Sequence, residues 1–226
     1  MVRLSTNAVL GIVCLATVAT LLLFFAPSRA AGPLPDPKID SKPSVATGTD
    51  TAVFAGGCFW GVEAVFEHIK GVTRVVSGYA GGSAETASYA KVSSGETNHA
   101  ESVRISYDPK RISYGQLLKV FFSVAHDPTE LDRQGPDTGT QYRSAVFFTN
   151  DEQKRVTEAY IAQLQAARAF SGPIVTQVTP LKAFYEAEAY HQDYLARNPN
   201  EPYIIINDLP KIARLQQQFP ALYVDN

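Results

Sequence analysis

The chain has 226 residues, 45% of them hydrophobic and 19% charged, with a net charge of −2. These proportions exclude a fibrous or disordered chain, and without a run of Lys or Arg there is no basic footprint for nucleic acid. Beyond the first 50 residues the remainder has the size of one ordinary domain, enough to bury a real core.

The first 30 residues read as a targeting segment. Arg3 gives a short positive start, residues 8–26 are almost continuously apolar, and Ser28-Arg29-Ala30 places small residues where a signal peptidase cuts. The apolar run exceeds a usual signal core and is about long enough to span a bilayer. Two readings stay open: residues 1–30 are a cleaved signal peptide, or a signal anchor held in the membrane through residues 8–26. Either places the body of the protein outside the cytoplasm, periplasmic or membrane-anchored. Cys14, behind Gly11-Ile12-Val13, makes a poor lipobox and reads as lipid-facing packing.

Cleavage would remove Arg3 and Arg29, leaving 18 of the 20 basic residues against all 22 acids, a net charge of −4. It would also remove Met1 and Cys14, so the exported chain keeps a single cysteine, Cys58. A small exported domain commonly uses cysteines in pairs as staples. A lone Cys58 cannot do that, and its presence needs another reason.

Residues 31–49 contain Pro33, Pro35, Pro37 and Pro43 with no aromatic side chain, which predicts an extended Pro-rich linker. The domain then covers 50–226. A strand at 51–55 runs into Gly56-Gly57, and a helix follows over 59–70 with Val62, Val65, Phe66 and Ile69 on one face. A strand over 72–79 ends in a Gly-rich loop, and a second over 100–107 alternates cleanly. Ser113 with Gln116 makes a capping box for a helix to about 125; a polar loop over 126–141 precedes a strand at 142–148. Those six elements spell β-α-β-β-α-β, the ferredoxin-like split pattern. Behind them the pattern predicts a helix over 151–169, a strand near 174–179 and a helix near 183–195. An extended stretch over 202–207 and a last helix over 208–219 complete the chain. The class is α+β: a ferredoxin-like core in a two-layer sandwich with an elaborated C-terminal segment.

Cys58 stands where a strand and two glycines give way to a helix. Unpaired N–H groups and a positive helix end predict a lowered thiol pKa there, and so a reactive cysteine rather than an inert buried one. Glu101 shares strand parity with Val103, Ile105 and Tyr107, whereas Ser102, Arg104 and Ser106 take the other face. A carboxyl on the apolar face is desolvated and held protonated near neutrality, as a general acid must be. The competing reading is a strand-end Glu that escapes to water. Trp60 follows Phe59, and adjacent helical residues cannot both face the core. Tyr79, Tyr89 and Tyr142 fall near strand ends, where phenols can donate hydrogen bonds. His68, His99, His126 and His191 have no metal-site spacing, and no phosphate-binding fingerprint is present. A Cys–His hydrolase lacks any local signature.

Gly57-Cys58-Phe59-Trp60-Gly61-Val62-Glu63 resembles the active-site motif of the A-type peptide methionine sulfoxide reductases. The likeness continues through 78–82, 88–92 and His99-Ala100-Glu101, then through 137–144 and 190–195, covering about 53–199. The resemblance implies thiol-dependent reduction of methionine-S-sulfoxide, protein-bound and free, with repair of oxidised proteins. It makes Cys58 the nucleophile that ends as a sulfenic acid and Glu101 the acid that protonates the departing oxygen. Tyr89 and Tyr142 match phenols that bond that oxygen, and Asp137 an acid that orients the site. Phe59 and Trp60 match the aromatic wall around the substrate methyl group, with His191 and Tyr194 near the pocket. The departure lies at the C-terminus: there is no cysteine beyond residue 58, so this is a one-cysteine form. It implies no bound cofactor or metal, a monomer, and an external thiol reductant: a thioredoxin-like protein, glutaredoxin or glutathione. Two other classes remain open, a thiol peroxidase with the same sulfenic chemistry and a non-catalytic domain that binds oxidised Met side chains.

Overall fold

The computed structural model describes residues 33–41 and 48–225. The targeting segment lies outside the described residues; among those described, no helix is long and apolar enough to cross a membrane. In chain order come β1 (Asp50–Gly56), α1 (Phe59–Glu67), β2 (Val72–Ala80), α2 (Tyr89–Val92), β3 (Ala100–Tyr107) and α3 (Tyr114–Val120). A hairpin of β4 (Arg133–Gln134) and β5 (Asp137–Thr138) leads to β6 (Ser144–Phe148) and α4 (Asp151–Ala166). Then follow β7 (Gln177–Pro180), β8 (Phe184–Glu186), α5 (Tyr194–Arg197) and α6 (Leu209–Gln218).

One mixed sheet carries the fold, in the order β7-β6-β1-β3-β2-β8. Every neighbouring pair is antiparallel except β6 with β7. The class is therefore α+β. Val62, Val65, Phe66 and Ile69 are all buried, as the spacing of apolar residues predicts. Phe54 of β1 stacks on Phe121 at 4.8 Å and meets Phe66 at 5.6 Å, which joins sheet and helices in one core. The capping box at α3 is present: Ser113 Oγ accepts from Gln116 N–H at 3.1 Å, and Gln116 Oε1 from Ser113 N–H at 2.9 Å. The opposite face of the sheet is not wholly open. Val53, Ala55, Ala80, Ala100, Ala145 and Phe147 form a small second core under Leu181 and Phe184.

The C-terminal half departs from the sequence pattern in two places. The helix expected near 183–195 is an edge strand, β8, then a single turn at Ala189–His191 and the four-residue α5. Tertiary pairing decides this, because β8 closes the free backbone edge of β2, with Gly78 opposite Glu186. Arg104 holds it there, ion-paired to Glu186 with its guanidinium 4.8 Å over the Phe184 ring. The stretch expected to be extended at 202–207 is helical, with a wide turn at Ile204–Asp208 running into α6. Ile204 is buried while Ile205 and Ile206 are exposed, so only one residue of that β-branched run packs inward. Local β-preference yields to docking on α1.

The described part of the proline-rich segment, 33–41, is extended but tied to the domain. Leu34 is buried, Tyr160 Oη donates to Pro35 O at 2.9 Å, and Gln163 Nε2 donates to Asp36 O at 2.8 Å. Asp40 accepts from Ser113 Oγ at 2.5 Å and from Gly115 N–H at 2.7 Å, at the start of α3. Asp40→Ala should therefore cost the domain about 1–2 kcal/mol. Urea unfolding of the 31–226 fragment checks this; an unchanged midpoint would show that the strap adds no stability.

Candidate active site

The site begins with backbone geometry. Gly57 takes φ +91°, where a β-carbon would also lie 2.6 Å from Gln134 Cβ of β4. That turn delivers Cys58 to the N-cap of α1, 8% exposed. The Phe59 N–H, unpaired within the helix, is taken by a site residue. Phe59 N–H donates to Glu101 Oε2 at 3.1 Å, while the Cys58 side chain makes no capping hydrogen bond. The two residues that the sequence pairs for chemistry thus meet at the first turn of α1.

Glu101 behaves as strand parity predicts. It lies opposite Tyr79 in the sheet, 2% exposed, and burial pushes its carboxyl up to about 8 against the pull of Phe59 N–H. It holds its proton at neutral pH. Cys58 departs from the sequence expectation, because its pKa is raised well above the ordinary thiol value, not lowered. Burial is the largest cause, followed by Glu101, ionised at the higher pH where the thiol titrates, and Asp208; the Trp60 N–H and Lys211 pull the other way. Desolvating a thiolate costs more than one amide and a nine-residue helix return.

Tyr89, first residue of α2, and Tyr142, in the turn Thr140–Tyr142, both have raised hydroxyl pKa values. Burial is the main cause in each, and the charges of Glu101 and Cys58 add to it, which places both phenols at the same site. Asp137 accepts from Tyr203 Oη at 2.5 Å; burial raises its carboxyl, and that bond and Lys211 offset the rise. Trp60 lies flat on Tyr194, centroids 3.7 Å apart and planes 6° from parallel, with the Tyr203 edge at 5.9 Å. Its Nε1–H donates to His191 Nδ1 at 3.2 Å. His191 is thus an acceptor at Nδ1, with its pKa lowered by burial. Phe59 is placed differently from Trp60: it is 1% exposed, in the core against Tyr79 and His191. Tyr79 is fully buried and donates to Glu188 Oε2 at 2.9 Å.

Several contributors escape a reading of the sequence. Glu188 also takes the Tyr89 N–H at 2.9 Å. Glu63 is buried, with its carboxyl pushed up to about 8 mainly by desolvation. It accepts from Ser77 N–H and Asp193 N–H at 3.2 and 3.0 Å, which ties the segment bearing His191 and Tyr194 to α1. Its place in the motif was the available signal. Tyr203, Asp208 and Lys211 sit in a stretch read only as secondary structure. His99 and His126 are engaged elsewhere, with Gly82 N–H and Ser83 O, and with Ser144 Oγ and Phe121 O. Among the described residues no group of His, Cys, Asp and Glu could hold a metal ion.

A shielded thiol beside a carboxyl that keeps its proton suits attack on an electrophile whose departing atom must be protonated, the class of cysteine oxidoreductases that remove oxygen. Comparison with known proteins narrows this. The peptide methionine sulfoxide reductase family model matches residues 50–222. A peptide methionine sulfoxide reductase MsrA 2 of Mesorhizobium japonicum is 59% identical over 178 residues, 79% of this chain and 91% of that protein. Another, from Synechocystis, is 56% identical over 188 residues, 82% and 88% of the two chains. Among solved structures, methionine sulfoxide reductase A of Corynebacterium diphtheriae aligns at TM-score 0.60 and 34% identity, covering 79% of this chain and 92% of that one. Mxr1 of Saccharomyces cerevisiae in reduced form aligns at 0.63 and 36%, covering 71% and 91%. The chain belongs to the peptide methionine sulfoxide reductase family. It is an oxidoreductase that reduces methionine-S-sulfoxide, using thiols.

The raised Glu101 carboxyl makes a stability prediction. Its folded pKa, about 8, exceeds the ordinary 4.5, so the folded state binds more protons between those values. Stability contributed by the neutral form is complete below about 4.5 and is lost as pH rises through about 8. Glu101→Gln keeps the shape and removes the titration. The variant should melt at higher temperature than the parent at alkaline pH, by about 2–4 °C per kcal/mol relieved, with the gap closing towards pH 5. A gap that does not vary with pH in thermal melts would contradict the assignment.

Proposed function

We propose that Cys58 attacks the sulfoxide sulfur while Glu101 gives its proton to the oxygen, the Cys58 thiol proton replacing it on the carboxylate. In the resulting adduct the hydroxyl oxygen passes to the Cys58 sulfur: the substrate S–O bond and the new S–S bond break, a Cys58 S–O bond forms, and the products are the thioether and the Cys58 sulfenic acid. Two reducing thiols then return the cysteine to its thiol, forming one disulfide and one water. The observation that carries this reading is a buried thiol at the N-cap of α1 beside a neutral carboxyl that accepts from the first amide of that helix. Because Cys58 is a thiol before substrate arrives, proton exchange with Glu101 belongs to the attack itself.

The surrounding geometry supports the remaining roles. Tyr89 and Tyr142 are raised phenols that stay protonated as donors to the sulfoxide oxygen, with Asp137 orienting the far side. Trp60, held by Tyr194 and His191, is the aromatic wall for the methyl group; Phe59 supports it from the core. The order β6-β1-β3-β2, with α1 and α3 as the connections, supports reading the core as the ferredoxin-like split motif. Residues 1–30 direct the domain out of the cytoplasm as a signal peptide or anchor, and the protein acts there as a monomer on oxidised proteins and peptides. Since Cys58 has no thiol partner in the exported chain, the sulfenic acid is reduced by an external thiol: a thioredoxin-like protein, glutaredoxin or glutathione.

Three outcomes test this. Cys58→Ser should abolish turnover of a Met-sulfoxide peptide, and measurable turnover in the purified variant sinks the nucleophile assignment. Glu101→Gln should lower the saturated rate by ~10²–10⁴ with a smaller change in substrate affinity; an unchanged rate makes Glu101 structural. One equivalent of sulfoxide without reductant should leave the 31–226 fragment one oxygen heavier and reactive to dimedone. A disulfide-linked dimer with no added oxygen on intact-mass analysis would exclude a persistent sulfenic acid.

A further inference from the structure

The wide turn at Ile204–Asp208 brings a buried ion pair against the back of the cysteine's helix. Lys211 Nζ donates to Asp208 Oδ1 at 3.0 Å, and the two residues are 9% and 0% exposed. The pair presses on α1 at Gly61, three residues after Cys58. A β-carbon at that position would overlap the Asp208 carboxylate and lie 2.6 Å from Lys211 Nζ. Among the described residues, Asp208 Oδ2 is buried and accepts no hydrogen bond. A buried ion pair adds little net stability, and an unsatisfied carboxylate oxygen subtracts from it. Packing alone does not account for placing charge here.

The charged and titratable groups around the sulfur come from every element that packs on it. Glu101 faces it from β3, and the hydroxyls of Tyr89, Tyr142, Tyr194 and Tyr203 each interact with it electrostatically. Asp137 stands one layer out, bonded to Tyr203 and acting on Glu101 and Asp208. His191 is held neutral by burial, and Glu63 on α1 is turned towards Ser77 and Asp193. Asp208 and Lys211 reach Cys58 from the C-terminal side with opposite charges, and Lys211 is the cation of the set.

Building on the reading of Cys58 as nucleophile, we propose that Asp208 and Lys211 form a positioning pair that sets the ionisation of the Cys58 thiol from behind α1. Lys211 favours the thiolate and Asp208 the thiol; in the intact pair they oppose each other, with Asp208 the stronger. The C-terminal segment thereby holds the sulfur as a thiol until substrate and the Glu101 proton are both in place. This makes the cysteine-free tail part of the nucleophile's environment.

The test compares Asp208→Asn with the double variant Asp208→Asn/Lys211→Gln in the full-length chain in detergent. Alkylation by iodoacetamide is followed at Cys58 by peptide mass spectrometry, which separates it from Cys14. Asp208→Asn leaves the ammonium unopposed, so the profile should move to lower pH, with about a tenfold faster reaction at neutral pH per unit of displacement. The double variant should move back towards the parent. A structural role alone would change stability or maximal rate without displacing these profiles in opposite senses. An unmoved profile in Asp208→Asn, or a double variant that keeps the single variant's shift, overturns the proposal. Should Asp208→Asn fail to fold, the parent chain gives a second measurement. The labelled Lys211 Cε resonance should then inflect as Cys58 titrates, and should not do so in Cys58→Ser. Absence of that inflection in the parent also overturns it. Loss of sulfoxide turnover in Cys58→Ser is read separately, so failure of the nucleophile assignment is distinguishable from failure of the pair.

Discussion

The hydrogen bond from Phe59 N–H to Glu101 Oε2 joins the helix start that carries Cys58 to the strand that carries the buried carboxyl, and much of the molecule serves to place its ends. One end is the first amide of a helix that starts only because Gly57 adopts a left-handed turn out of β1. The other is a carboxyl on the central strand β3, fixed in register by β1 and β2 on either side. Because both ends are buried, the carboxyl stays neutral and the neighbouring thiol keeps its proton. The bond also uses a helix-end donor that would otherwise be unpaired.

Water exclusion is the common cause of the unusual protonation states. It raises Glu101, Glu63, Asp137, Asp208 and the Cys58 thiol together, and it lowers His191. Glu101 and Cys58 therefore keep their protons at neutral pH, whereas Asp208 and Lys211 remain an ion pair. The helix end was expected to supply a standing thiolate. Desolvation outweighs it, so the sulfur stays a thiol.

The aromatic cluster around Trp60 is built from distant parts of the chain. Trp60 comes from α1, Tyr194 from α5 and Tyr203 from the stretch before α6, and the three rings meet within 6 Å of Trp60. Glu63 secures this arrangement from within α1 by accepting the Asp193 N–H, which stabilises a non-glycine residue at φ +50°.

Much of the core was legible in the sequence because its signals are local. The period of Val62, Val65, Phe66 and Ile69, the Ser113/Gln116 cap and the parity of Glu101 with Val103 and Ile105 each lie within a few residues of chain. They determined α1, α3, β3 and the inward carboxyl, and the motif around Cys58 determined the family. Residues 183–195 and 202–207 were misread because their conformation answers to partners far away: the open edge of β2 for one, the surface of α1 for the other. For the same reason Tyr203, Asp208 and Lys211 gave no signal, since nothing near them in sequence reveals a cysteine some 150 residues earlier. Local periodicity fixes which face of an element is apolar. Only tertiary packing decides which charges end up sharing one dry cavity, and with them the protonation state of Cys58.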